Sequence, residues 1–250
     1  MTGNTASPCR TYRTVKRSGL LLLVLALAAC GADATTSSSG TLAPGSHMTV
    51  HLGAGQLDAY KPKVGDAPDK YTIASSDQTM STLLQIAHGP KSLSVTSRPA
   101  ADTGDVLVRI PDGVTLDASS QQGDVNVTDI TGVANAHADD GNVKVMVEGY
   151  AQASAGNGNV TVYMGSTDWP GTLHFGSQLG DVEVWINATA NFHIRMHTDR
   201  GTIFTDFLLR GTSRGLAETI DGNVGTPSTH GIDIEAHNGS IRLLQLKPQI

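Results

Sequence analysis

The sequence predicts an all-β, single-domain β-solenoid in which two short strands make up each coil of about 17–22 residues. Three observations carry this. A unit of glycine, a small polar residue and alternating aliphatics recurs eight times. The glycines, at 104, 123, 141, 158, 180, 201, 222 and 239, stand 19, 18, 17, 22, 21, 21 and 17 residues apart. Alternation with period two continues on both sides of each glycine, as strands require. A period near twenty with alternation inside it is the pattern of stacked β-coils.

Residues 1–29 read as a lipoprotein signal peptide. Arg10, Arg13, Lys16 and Arg17 form a basic start, and Gly19 to Ala29 is an unbroken apolar run. That run is shorter than the roughly 20 apolar residues a spanning helix needs. It ends in Leu27-Ala28-Ala29-Cys30, which resembles the bacterial lipobox. The resemblance implies lipid on the Cys30 thiol, cleavage before it, and palmitate-type acylation of the new amino terminus. The expected location is the extracytoplasmic face of a cell membrane or outer membrane, with the membrane as a partner through Cys30.

Once that leader is removed, thirteen Lys and Arg face 23 Asp and Glu, a formal charge of −10. An acidic surface argues against nucleic acid as a partner. Cys9 goes with the leader, so the mature chain keeps Cys30 alone and has no internal disulfide, cysteine nucleophile or thiolate metal site. Stability must come from packing.

Residues 30–47 are rich in Ser, Thr, Gly and Ala and read as the lipidated cysteine followed by a flexible linker. The solenoid is expected over 48–250. Within it, 48–99 lacks the glycine pattern and reads as an N-terminal cap, since solenoids need atypical end coils, and 100–250 holds the repeat coils.

Each coil can be registered on its glycine. The strand after it points inward at Val106/Val108, Val125/Val127, Val143/Val145, Val160/Val162, Val182/Val184, Ile203/Thr205 and Ile241/Leu243. The strand before it points inward at sets such as Ala134/Ala136/Ala138, Ala151/Ala153/Ala155, Leu173/Phe175/Ser177 and Ile194/Met196/Thr198. The repeats, with Val108-Arg109-Ile110-Pro111-Asp112-Gly113-Val114 before them, resemble the bacterial "putative adhesin" domain family. The resemblance implies a cell-surface, adhesive role and hands over no catalytic residues.

Three columns bear on chemistry. The residue after each glycine (Asp105, Asp124, Asn142, Asn159, Asp181, Thr202, Asn223, Ser240) could bind calcium or build a ladder of capped turns. The Gly-Gly-x-Gly-x-Asp spacing of calcium rolls is missing, so the ladder is expected, with no metal and no cofactor. Four residues before each glycine lie Ser119, His137, Ser154, Gly176, His197, Glu218 and Glu235, which reads as a solvated polar face. Five residues after the glycine, also outward, stand Met146, Tyr163 and Trp185, with the Trp169 turn nearby. Exposed aromatics in a row suit a glycan or an envelope-protein ligand. This is the candidate binding stripe.

The expected function is therefore a lipid-anchored envelope protein in adhesion, ligand binding or envelope structure, and not an enzyme. The chain has no Gly-x-Ser-x-Gly elbow, His-Glu-x-x-His pair or phosphate loop. One alternative is a polysaccharide-acting enzyme using surface carboxylates such as Asp117, or Asp233 beside Glu235. Another is a sensor or accessory subunit that docks a second envelope protein.

Overall fold

The structure is a computed structural model, and it describes residues 36–246 apart from 63, 64, 66, 77–82 and 98–103. The predicted signal peptide and Cys30 lie outside the described residues. The described residues belong to one compact unit.

The fold is all-β and consists of two large mixed sheets. The spatial order of the ten-stranded sheet begins with Thr36–Thr41, Lys70–Ser75, Val106–Arg109, Leu57–Tyr60 and Val125–Ile130. It continues through Val143–Val147, Val160–Met164, Val182–Asn187, Ile241–Leu246 and Ile203–Thr205. The eleven-stranded sheet begins with Gly211–Arg214, Ala217–Val224, Phe192–Arg200, Gly231–Asn238, Thr172–Leu179 and Ala151–Asn157. Ala134–Asp140, Thr115–Gln122, His47–Leu52, Ser92–Ser97 and Leu84–Gly89 complete it. Central strands are parallel and in register, so Val143 pairs with Val125 and Val160, and Val160 with Val182. Antiparallel strands form three of the four sheet edges.

The core lies between the sheets and follows the alternation of the sequence. Val125, Val127, Val143, Val145, Val160, Val162, Val182 and Val184 are buried on one side. Ala134, Ala136, Ala138, Ala151, Ala153 and Ala155 are buried on the other. Small residues opposite valines let the sheets approach closely. Buried hydroxyls on the same positions are satisfied by the glycine turns: Ser177 Oγ donates to Gly158 O at 2.7 Å and Thr198 Oγ1 to Gly239 O at 2.7 Å. Ile203 and Thr205, expected inward, are only half-buried because their strand is the last of its sheet.

The turn column forms the expected ladder. Asp124 Oδ1 accepts from the Asn142 N–H at 2.7 Å, Asn142 Oδ1 from Asn159 at 2.9 Å, and Asn159 Oδ1 from Asp181 at 2.8 Å. Asp181 Oδ1 then accepts from Ser240 at 2.7 Å. Each side chain caps the next turn, which is work for an Asp or Asn side chain. Glycine is required here for room as well. A Cβ on Gly158 would sit on the carbonyl oxygen of Gly141, closer than side-chain carbons approach such an atom.

Four expectations need correction. Residues 36–41, placed in the flexible linker, form a strand paired antiparallel with 70–75. Backbone pairing along a ready edge outweighs the weak propensity of a Ser- and Thr-rich segment. Strands 47–52 and 57–60, placed in the cap, are interior: they lie between 92–97 and 115–122, and between 106–109 and 125–130. At the other end the last repeat, 231–246, lies between 172–187 and 192–205 instead of beyond them. The weak repeat at Gly222 belongs to Ala217–Val224, which runs antiparallel to Phe192–Arg200. At the C-terminal end the chain leaves one place open, lays 192–205 beyond it and fills the gap with 231–246, whereas at the N-terminal end it lays 47–60 first, adds 84–97 and 106–109 outside them, and returns to their inner side at 115.

Candidate functional site

The outward face of the ten-stranded sheet carries the candidate stripe. Parallel register sets Met146 beside Tyr163 and Tyr163 beside Trp185, as the glycine spacing predicts. All three are half-buried, with their flanks against the sheet and their outer surfaces open. The Tyr163 and Trp185 rings are stacked, with centroids 5.6 Å apart and planes 14° from parallel. Strand spacing of about 4.8 Å places successive side chains at stacking distance without further adjustment.

The column continues at both ends along the same repeat position, and at one of them it takes in Tyr60, which the repeat does not reveal. Thr128 follows Met146, then Tyr60, then Arg109. The Arg109 guanidinium lies 5.9 Å from the centroid of the Tyr60 ring, within cation–π reach. Burial and the nearby Asp58 raise the Tyr60 phenol above its ordinary range, and Arg109 partly offsets them. At the other end Trp185 pairs with Leu244, which is buried although it faces outward. Tyr60 lay hidden because its strand has no repeat glycine. Only the non-local pairing brings it into line.

A polar row beside the stripe fixes Trp185. Its indole N–H donates to Glu183 Oε1 at 2.7 Å, and Arg242 Nη1 lies 3.0 Å from the other carboxylate oxygen. Asn126 Nδ2 donates to Asp58 at 2.9 Å farther along the same row. The Glu183 bond, backed by Arg242, holds the Trp185 ring in one orientation and lowers the entropy lost when a ligand lands on it.

Trp169 does not join the stripe. It is 2% exposed, packs against Phe192 at 5.7 Å between centroids, and donates its indole N–H to Gly231 O at 3.0 Å. A surface turn carries it, but the ring fills a hole in the core next to the inserted strand. Its place in the candidate stripe is therefore withdrawn.

The polar face belongs to the eleven-stranded sheet, where every histidine of the chain stands on a strand or immediately before one. The expected neighbours change with the strand order: Gly176 lies beside Glu235, and His197 lies on the far side of Glu235. Many pairs are local. His47 Nε2 lies 2.6 Å from Asp117 Oδ2, and His137 Nε2 2.8 Å from Asp139 Oδ1. Hydrogen bonds from His237, and then from His197, hold the Asp199 carboxyl below its usual range. Among the described residues, no group of three or more His, Cys, Asp or Glu side chains is arranged to hold a metal ion.

The carboxylates weighed for catalysis do not form a facing pair. Asp117 and Asp233 stand four strand spacings apart, about 19 Å, well beyond the 6.5–9.5 Å typical of paired glycosidase acids. Asp117 is also engaged by His47 and by Asn135 Nδ2 at 2.7 Å. Asp233 and Glu235 lie side by side on one strand face rather than across a cleft.

No family model matches the sequence, and no curated protein sequence matches it. Among solved structures, a "putative cell adhesion protein" from Clostridium sporogenes is similar at 13% identity and a TM-score of 0.48, covering 85% of this chain and 100% of its own. A "putative adhesin" from Bacteroides fragilis gives 12% and 0.42, with 85% and 98% coverage. Another from Parabacteroides merdae gives 9% and 0.28, with 85% and 96%. At these values the likenesses carry no argument about what the chain binds.

Proposed function

We propose that this chain is a lipid-anchored, extracytoplasmic β-solenoid whose role is surface adhesion through the outward aromatic column, without catalysis. The observation that carries the reading is the in-register row Tyr60, Thr128, Met146, Tyr163 and Trp185, with its last two rings stacked. A row of ring faces held by the backbone suits a ligand with apolar faces, either a sugar or a protein surface, and lies on an otherwise acidic molecule. Support for the anchor comes from the basic start, apolar run and Cys30 of the leader. Support for solenoid stacking comes from parallel pairing at intervals of one repeat and from the continuous turn ladder.

The test is adhesion of cells displaying the full chain, compared with cells displaying Tyr163→Ser/Trp185→Ser. Both side chains are half-exposed, so folding should persist while adhesion falls tenfold or more, as the loss of about 2 kcal/mol of anchor contacts implies. Unchanged adhesion at equal surface level would contradict the proposal.

A further inference from the structure

We propose a second binding site on the opposite sheet: a polar trough that takes a short neutral or amino-sugar oligosaccharide. It is independent of the aromatic column. Two strands, Ala151–Asn157 and Thr172–Leu179, form its floor, where Ser154, Gly156 and Gly176 point outward between the longer Gln152 and His174 at one end and Gln178 at the other. The flanking strands raise two walls of longer side chains. Asn135, His137 and Asp139 line one, and Asp233, Glu235 and His237 the other. The walls stand three strand spacings apart, about 14 Å, and each runs about 13 Å along its strand. The main depression has a volume of about 490 Å³, and a second of about 360 Å³ shares His137, Ser154, Gly176 and Glu235 with it.

The chemistry of the lining selects the ligand class. The side chains that point into the trough are polar, and Ala136, Ala153 and Phe175 in its lining are turned inward beneath them, so no outward apolar side chain marks a peptide site. Its floor is the face of a paired sheet, which offers no free backbone for an added strand. Amides, hydroxyls, imidazoles and carboxylates supply both donors and acceptors, the mixture a polyhydroxylated chain needs. Neither Lys nor Arg lines the site, whereas Asp139, Asp233 and Glu235 border it. Uronic acids, sulfated sugars and phosphates are thereby repelled.

Two observations mark acceptors that lack a donor. Asp233 Oδ1 is buried without a hydrogen-bond partner, and its other oxygen lies 3.9 Å from His174 Nδ1. Glu235 makes no hydrogen bond or ion pair among the described residues. The buried Asp233 oxygen is closed to the trough, whereas Glu235 is exposed, so its carboxylate is the acceptor a ligand hydroxyl or ammonium can reach. The opposite wall is already ordered: His137 lies 2.7 Å from Ser154 Oγ and 2.8 Å from Asp139 Oδ1.

The experiment presents the detergent-solubilised full chain to an array of neutral, N-acetylated, amino and uronic-acid oligosaccharides, followed by calorimetry on the tightest binder. Gly176→Gln blocks the floor. That position has room, since the nearest atom to an added Cβ is Glu235 O at 3.4 Å. We expect a neutral or amino oligosaccharide to bind, Gly176→Gln and Glu235→Ala each to weaken it at least tenfold, and Tyr163→Ser/Trp185→Ser to leave it unchanged. Should Gly176→Gln fail to fold by circular dichroism, Glu235→Ala, on the exposed face, decides. Failure of every oligosaccharide to bind, preference for uronic acids, or full binding by the folded trough variants would overturn the proposal. Loss of binding in the aromatic double variant alone would also overturn it and assign the sugar to the other sheet.

Discussion

Replacing Gly158 with alanine adds one carbon where successive turns approach most closely. The new Cβ would occupy the space of Gly141 O, and the backbone there has a φ of +154°, which side chains rarely adopt. The obstructing atom is backbone, held by strand pairing on both sides, so no rotamer change relieves the contact. Overpacking of this kind costs about 1–3 kcal/mol, and an unfavourable backbone conformation adds a similar amount. A total of about 3 kcal/mol lowers the melting temperature of a fold this size by roughly 6–12 °C. Gly176→Ala is the matched control: its Cβ meets only Glu235 O, at 3.4 Å, and it should shift stability by no more than about 0.5 kcal/mol. Thermal melts followed by circular dichroism compare the two. Equal shifts would refute the argument that close approach between turns, together with the backbone conformation there, fixes the repeat glycine.

Val145→Asp, at a fully buried position, should unfold the domain or cost several kcal/mol, whereas Lys144→Asp on the exposed face should cost about 0.5 kcal/mol or less; chemical denaturation of both checks the register. Cys30→Ala should abolish incorporation of labelled palmitate, and persistent labelling would contradict the lipobox reading. Asp199 has a depressed pKa, so its contribution to stability is present above the ordinary carboxylate range and is lost as pH falls through its folded value. His237→Gln should move that titration upward in carbon-detected NMR, and an unmoved titration would contradict the assigned hydrogen bonds.

Much of the architecture is legible because local geometry enforces it. Gly123, Gly141, Gly158 and Gly180 each start a strand whose inward valines are buried, and Asp124, Asn142, Asn159 and Asp181 each cap the next turn. The stripe follows from the same spacing, since Met146, Tyr163 and Trp185 occupy one register position in consecutive repeats. What the sequence hides is non-local. Leu57–Tyr60 carries no repeat glycine, so nothing in its residues tells that Tyr60 lies between Arg109 and Thr128. Repeat order suggests that Gly176 faces His197, yet 231–246 intervenes, and with it the second wall of the trough. Trp169 shows a different limit. A tryptophan in a Ser-Thr-Asp-Trp-Pro-Gly turn reads as exposed, and only the inserted strand, through Gly231 O, gives its indole a partner.

The order of strands at the C-terminal end determines what lies beside Trp185 and what completes the trough, so it is the claim on which both faces depend. Cross-linking tests it directly, since Cys9 and Cys30 are the chain's only native cysteines and both precede the described fold. In the Cys9→Ser/Cys30→Ser background, the pair Gly176→Cys/Glu235→Cys joins adjacent parallel positions about 4.8 Å apart, inside disulfide range. The pair Gly176→Cys/His197→Cys spans two strand spacings, about 9.6 Å, and lies outside it. Mild oxidation should close the first pair and leave the second as free thiols. Closure of the second pair with the first left open would restore repeat order and contradict the account.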